Sequence, residues 1–350
     1  MDVAIHHHLS LRYGGGGEWF VIDLATKLLE RGHYVEIYAL PLPPGPKPLD
    51  LRLPQGLPYR EAWRVKAAGF DVAYYVYTLS FLKLHANDAP KVAGIHSLIW
   101  ARTGGSPIPL QLSSSAAYAI WRLFCTREVS RYDAVHVYSS DLLRLSGLDR
   151  RVPSQRLYVI PQGVDVGTFR PVCSKDEEFT ALYCGRPSMY KGFGDFVRVA
   201  KRYRERYGGG VRFAYVGGAV ENKYVTSLGY VSDPRRLAYI YSRSHVLLMP
   251  QRVPTVGRAP LEALSCGTPV VVSASVPPEL RGAGAIVEAY GVEAFVRVVN
   301  VLKELWDGDR KKYLELAERA RRFVTSNLSI EATFTRLEEM LRQVSEGRLK

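Results

Sequence analysis

Cysteine is scarce in this 350-residue chain. Cys125, Cys173, Cys184 and Cys266 are the four present, and no two form a CxxC pair. That spacing excludes a zinc-finger site and a disulfide framework. Asparagine and glutamine together number only ten, and arginine at 34 far outnumbers lysine at 13. So few thermolabile amides suit a thermophile. A long apolar run is also missing. The longest stretch without a charged side chain, Thr103–Trp121, is full of Gly, Ser and Pro, which excludes a membrane span. No signal-like segment precedes the strand-like run that begins at Val3, so the expected location is the cytoplasm, or peripherally at a membrane surface. Ordinary apolar (47%) and charged (23%) fractions exclude a disordered or collagen-like chain.

What the chain does have is positive charge, +13 net. Residues up to Asp165 carry 18 basic and 14 acidic side chains, +4, and the remainder carries 29 and 20, +9. Such an excess favours anionic partners: phosphates or an anionic membrane surface. Nucleic acid is not expected, because no helix-turn-helix, zinc-finger or RNP pattern accompanies the charge. The basic clusters Lys201–Arg206 and Arg319, Arg321 and Arg322 fall on helical repeats and read as solvated helix faces.

The length calls for two domains. Apolar, β-branched runs at Val3–His7, Tyr34–Leu40, Asp71–Tyr77, Val92–His96 and Ala134–Tyr138 read as strands, with a helix at Trp19–Arg31. The pattern restarts with strands at Phe179–Cys184, Val211–Val216, Val246–Met249 and Pro269–Ser273, and helices at Asp195–Tyr207, Pro234–Arg243 and Pro260–Ser265. The β-α-β order predicts an α/β chain of two doubly wound, Rossmann-like domains facing across a cleft. The expected division is 1–165, 166–328 and a last helix, 329–350, returning to the first domain through an apolar stripe of Ile330, Phe334, Leu337 and Leu341. Leu40–Pro58, rich in proline, reads as a loop.

Four places carry candidate chemistry. Gly15 and Gly16 lie in a four-glycine turn between the first strand and helix, where backbone N–H groups attract phosphate. Its spacing is not GxGxxG, and no acid ends the second strand, which excludes a nicotinamide site. Arg186 and Lys191 lie in CGRPSMYKGFGDF, and two cations at a strand end suit a diphosphate. In GRAPLEALSCGTPVV, Arg258 and Ala259 open a helix, and Glu262 points back toward its start, where a carboxylate can accept from both ribose hydroxyls. His96 ends a strand, where imidazole can donate to a substrate or move protons. His6, His7 and His8 alternate across a strand, so no metal is assigned to them.

In this order the motifs resemble the family-4 retaining glycosyltransferases of the GT-B fold, from Val3 to about Ser326. The Gly15-Gly16 turn with Glu18, the run Leu28–Tyr38, His96 in GIHS, VIPQGVDVGTF (Val159–Phe169), CGRPSMYKGF, Gly229–Gln251 and GRAPLEALSCGTPVV are similar to the family's motifs. The resemblance implies a hexosyltransferase-like enzyme moving a sugar from a nucleoside-diphosphate sugar to an acceptor, lipid-linked or glycan, with retention and without metal or other cofactor. It implies Gly15, Gly16, Arg186, Lys191, Arg258 and Ala259 at the diphosphate, Val231 in the base-binding loop, Glu262 on ribose, and catalytic roles for His96, Arg186 and Lys191. One departure is Pro254, where the family usually places a glutamate that contacts the donor sugar; Thr255 offers one replacement hydrogen bond. That departure keeps open a non-catalytic homologue or partner subunit; a GT-B sugar-nucleotide epimerase is the other alternative, and the missing carboxylate at Pro254 counts against it.

Overall fold

A computed structural model describes residues 1–41, 53–76, 85–96, 126–189, 191–251, 257–273 and 276–348. The chain divides into two compact units. The first takes the N-terminal stretch, the segment ending at Pro161, and everything from Thr333 onward. The second takes Gln162–Ala332. Pro254, Thr255 and the stretch Trp100–Trp121 lie outside the described residues, as does most of the proline-rich loop.

The first unit holds a seven-stranded parallel sheet. Its order is Tyr59–Glu61, Tyr34–Ala39, Asp2–His7, Val72–Val76, Lys91–Ile95, Ala134–Val137 and Leu157–Val159. The chain order reverses between Asp2–His7 and Val72–Val76, and ligands of open α/β sheets bind beyond the carboxyl ends of strands at such a switch point. Every residue of Val72–Val76 is buried, as expected for a strand covered on both faces.

The second unit repeats the scheme with six parallel strands. They run Thr226–Ser227, Arg212–Val216, Thr180–Cys184, Val246–Met249, Val270–Val272 and Ile286–Glu288, switching between the third and fourth of this list. Alternate residues feed two separate cores. Leu182, Leu247, Met249 and Val270 pack on one side, and Ala181, Tyr183, Leu248 and Val271 on the other.

Central strands match the apolar runs to within a residue or two. The strands Tyr59–Glu61, Leu157–Val159 and Ile286–Glu288 do not correspond to expected elements. Each is three residues long, too short to show alternation. Helix Val292–Gly308 does not correspond to an expected element either, and of helix Arg310–Asn327 only the basic face at Arg319, Arg321 and Arg322 was expected. From Thr333, helix Ile330–Ser345 lies in the first unit, burying Phe334, Leu337 and Leu341. There Phe334 meets Phe20 at 6.1 Å, and Glu338 accepts from Arg31 at 2.6 Å. Among the described residues no helix is long and apolar enough to cross a membrane.

Candidate functional site

In the second unit the candidate residues gather beyond the carboxyl ends of Thr180–Cys184 and Val246–Met249. Gly185 has φ +153°, and its carbonyl oxygen would lie 2.3 Å from a Cβ on Gly217. Two adjacent strand ends therefore turn against each other backbone to backbone, which side chains would prevent. Gly192, with φ +73°, closes the same loop: a Cβ there would lie 1.8 Å from the Pro250 carbonyl oxygen. This glycine seats the loop carrying Arg186 and Lys191 on the end of the neighbouring strand. Arg186 reaches solvent. Lys191 is exposed as a residue, but the atoms packed around its ammonium, and then the repelling charge of Arg186, lower its pKa. An anion placed beside the two cations relieves that repulsion.

Helix Arg258–Ser265 begins at Gly257, which has no side chain to cap it. Glu262 is 6% exposed. Its Oε2 accepts from the Tyr241 hydroxyl at 3.1 Å, and its Oε1 accepts from Arg258 Nε at 3.2 Å. Each carboxylate oxygen keeps a second lone pair, so the group is oriented and still able to accept. Arg258 thus contributes its side chain to orienting Glu262, which the helix pattern did not reveal. Ala259 and Val231 are partly buried against the core that holds Val216 and Tyr241. Tyr241 was missed by sequence reasoning. It lies 21 residues from Glu262, and nothing local marks it.

In the first unit the glycine turn differs from expectation. Gly15 precedes helix Gly16–Glu30, but its N–H donates to Glu18 Oε2 at 2.6 Å. The helix start is capped by the chain's own carboxylate, so the Gly15 N–H is not available to a phosphate. At Gly16 a Cβ would meet nothing within 4 Å. His7, fully buried, faces Glu18 with Nε2 3.8 Å from Oε1. His6 points to the other side of the strand, stacked on Tyr75 at 4.4 Å and 3.3 Å from His85 Nδ1. The tract is split between two faces, as strand geometry dictates.

His96 is 3% exposed and follows strand Lys91–Ile95. Its ring stacks on Tyr138 at 4.3 Å and meets the edge of Phe20 at 4.4 Å. Its Nε2 lies 2.9 Å from the Tyr74 hydroxyl, which is 2.6 Å from His136 Nδ1. Burial, then His136, His7 and His8, push the His96 pKa well below the usual histidine range.

Two family descriptions match the chain: Glycosyltransferase Family 4 over residues 14–168 and Glycosyl transferases group 1 over residues 178–304. A D-inositol 3-phosphate glycosyltransferase of Xylanimonas cellulosilytica is 26% identical over 384 residues, covering 88% of each chain. One from Catenulispora acidiphila is 24% identical over 355 residues, covering 82% of each. Among solved structures, a sucrose-phosphate synthase from Thermosynechococcus elongatus superposes with TM-score 0.75 at 17% identity, covering 99% of this chain and 100% of that one. Anabaena HepE in complex with UDP and glucose gives TM-score 0.67 at 14% identity, with 97% and 99% covered.

Proposed function

We propose, for a chain that belongs to the family-4 glycosyltransferases of the GT-B fold, that its second unit binds a nucleoside-diphosphate sugar and its first unit takes the acceptor. The observation that carries this reading is the seated loop with Arg186 and Lys191 at the switch point, next to a helix whose Glu262 is oriented to accept. Arg186 and Lys191 neutralise the diphosphate as the bond from the sugar C1 breaks. Glu262 accepts from the ribose hydroxyls, Val231 lies under the base, and His96 contacts the transferring sugar. The acceptor oxygen bonds to C1 on the face the diphosphate leaves, and its proton passes to the departing phosphate oxygen, giving retention. The two cations fill the role a divalent ion would otherwise take, so turnover is metal-independent and unchanged by EDTA.

The two inositol-phosphate relatives and the +13 charge support a hydroxylated, anionic acceptor. The test is calorimetric titration with UDP-, GDP- and ADP-sugars, followed by assay of donor turnover with D-inositol 3-phosphate. Tight binding by one donor, lost in Lys191→Glu, is the expected result; no binding by any donor overturns the reading. Pro254 favours a second reading, a homologue that binds nucleotide without turnover, and donor binding without hydrolysis or transfer would select it.

A further inference from the structure

The hydrogen bonds behind His96 fix where its proton sits. His136 Nε2 lies 2.9 Å from the carbonyl oxygen of Ile160, which can only accept. His136 is fully buried, and burial pushes its pKa down to about 4, so near neutrality it has one ring proton. That proton belongs on Nε2, and Nδ1 carries a lone pair. The Tyr74 hydroxyl, 2.6 Å from that lone pair, donates to it. Tyr74 has then given its one proton and can only accept from His96 Nε2, 2.9 Å away. His96 is therefore protonated on Nε2, and its Nδ1 is an acceptor.

The fold makes room for this chain of contacts at Gly94. A Cβ there would lie 2.3 Å from the Tyr74 hydroxyl and 2.9 Å from His96 Nε2. Phe20 and Tyr138 hold the ring plane. We propose that Tyr74 is a positioning residue, holding His96 as the Nε2–H tautomer, with that proton given to Tyr74 and the lone pair on Nδ1, so that toward a substrate hydroxyl His96 can act only as an acceptor. From sequence, His96 was open to donating to a substrate or to moving protons. The substrate part of the proposal rests on the glycosyltransferase reading; the tautomer does not.

The test is long-range ¹H–¹⁵N correlation on the full chain labelled at histidine, with His96→Ala and His136→Ala spectra assigning the rings. The expected result is the Nε2–H tautomer for both in the wild type. In Tyr74→Phe, which keeps the ring and removes the hydroxyl, His96 should pass to the Nδ1–H or an averaged state. A wild-type His96 protonated on Nδ1 overturns the proposal, and so does a Tyr74→Phe spectrum in which His96 stays wholly Nε2–H. If Tyr74→Phe does not fold, His136→Ala, which removes the group that takes the Tyr74 proton, should move the same His96 signal. An unmoved signal there counts against the proposal equally. These spectra need no donor, so absence of turnover with every nucleotide sugar would sink the glycosyltransferase reading and leave the tautomer result standing.

Discussion

Two parallel sheets with a switch point apiece end in opposite chemistry. In the first unit the strand ends carry His6, His7, His96 and His136 with Tyr74 and Tyr75, all buried, the histidines held neutral. In the second they carry Arg186 and Lys191, with Glu262 and Arg258 close by on the next helix. Buried neutral rings bond through fixed tautomers and hold shape, whereas the exposed cations Arg186 and Lys191 respond to an incoming anion. One topology thus serves a directional hydrogen-bonding surface and an electrostatic one, and the side chains at the strand ends decide which.

The sharpest way to break this comparison is acid. Burial lowers the pKa of His6 to about 3, and of His7 and His136 to about 4. An unfolded chain takes up these protons near the ordinary value while the folded unit resists. Their stabilisation is therefore complete above about pH 6.5 and lost as pH falls toward 4 and 3, by up to ~1.4 kcal/mol per pH unit for each histidine. The second unit has His245 alone of this kind, with a pKa of about 3. Limited proteolysis with peptide mapping at pH 7 and pH 5 should show the first unit opening first; opening of the second unit first would overturn the contrast.

Lys191→Glu should weaken nucleoside-diphosphate binding at least about 100-fold, near 2.7 kcal/mol, with Tm almost unchanged. Calorimetry and thermal melting read the two effects separately. Gly192→Ala should cost at least about 1–2 kcal/mol, since the left-handed backbone and the Pro250 carbonyl both reject a Cβ. Chemical denaturation measures it. Tyr241→Phe removes one bond to Glu262 and should lower nucleotide affinity by about 1 kcal/mol, less for a 2′-deoxyribose analogue. Gly16→Ala, with open space around it, should change stability by under about 1 kcal/mol. A large loss there would mean that the two glycine turns are alike after all.

The central strands were legible because a buried parallel strand such as Val246–Met249 is apolar at every position. Arg186, Lys191 and Glu262 were legible as cations and an acid beside glycine or at a helix start. What escaped was made by side-chain contacts that the period of an element does not reveal. Glu18 turning back onto Gly15, Tyr241 reaching Glu262, and Gly94 making way for Tyr74 depend on side-chain direction and contacts across elements. A residue pattern along the chain carries the period of an element and not the partner it meets.

The last helix has a consequence for how the chain is made. Residues from Thr333 onward belong to the first unit, and Ser345 Oγ lies 3.6 Å from Met1 Sδ. Topologically the second unit is an insertion whose ends are Gln162 and Ala332. During synthesis it is complete before the ribosome reaches Leu337 and Leu341, which the first unit buries wholly. The unit begun first is therefore finished last, and its apolar groove waits for the final helix. Loss of a dozen or so C-terminal residues should damage the N-terminal unit and leave the second one folded.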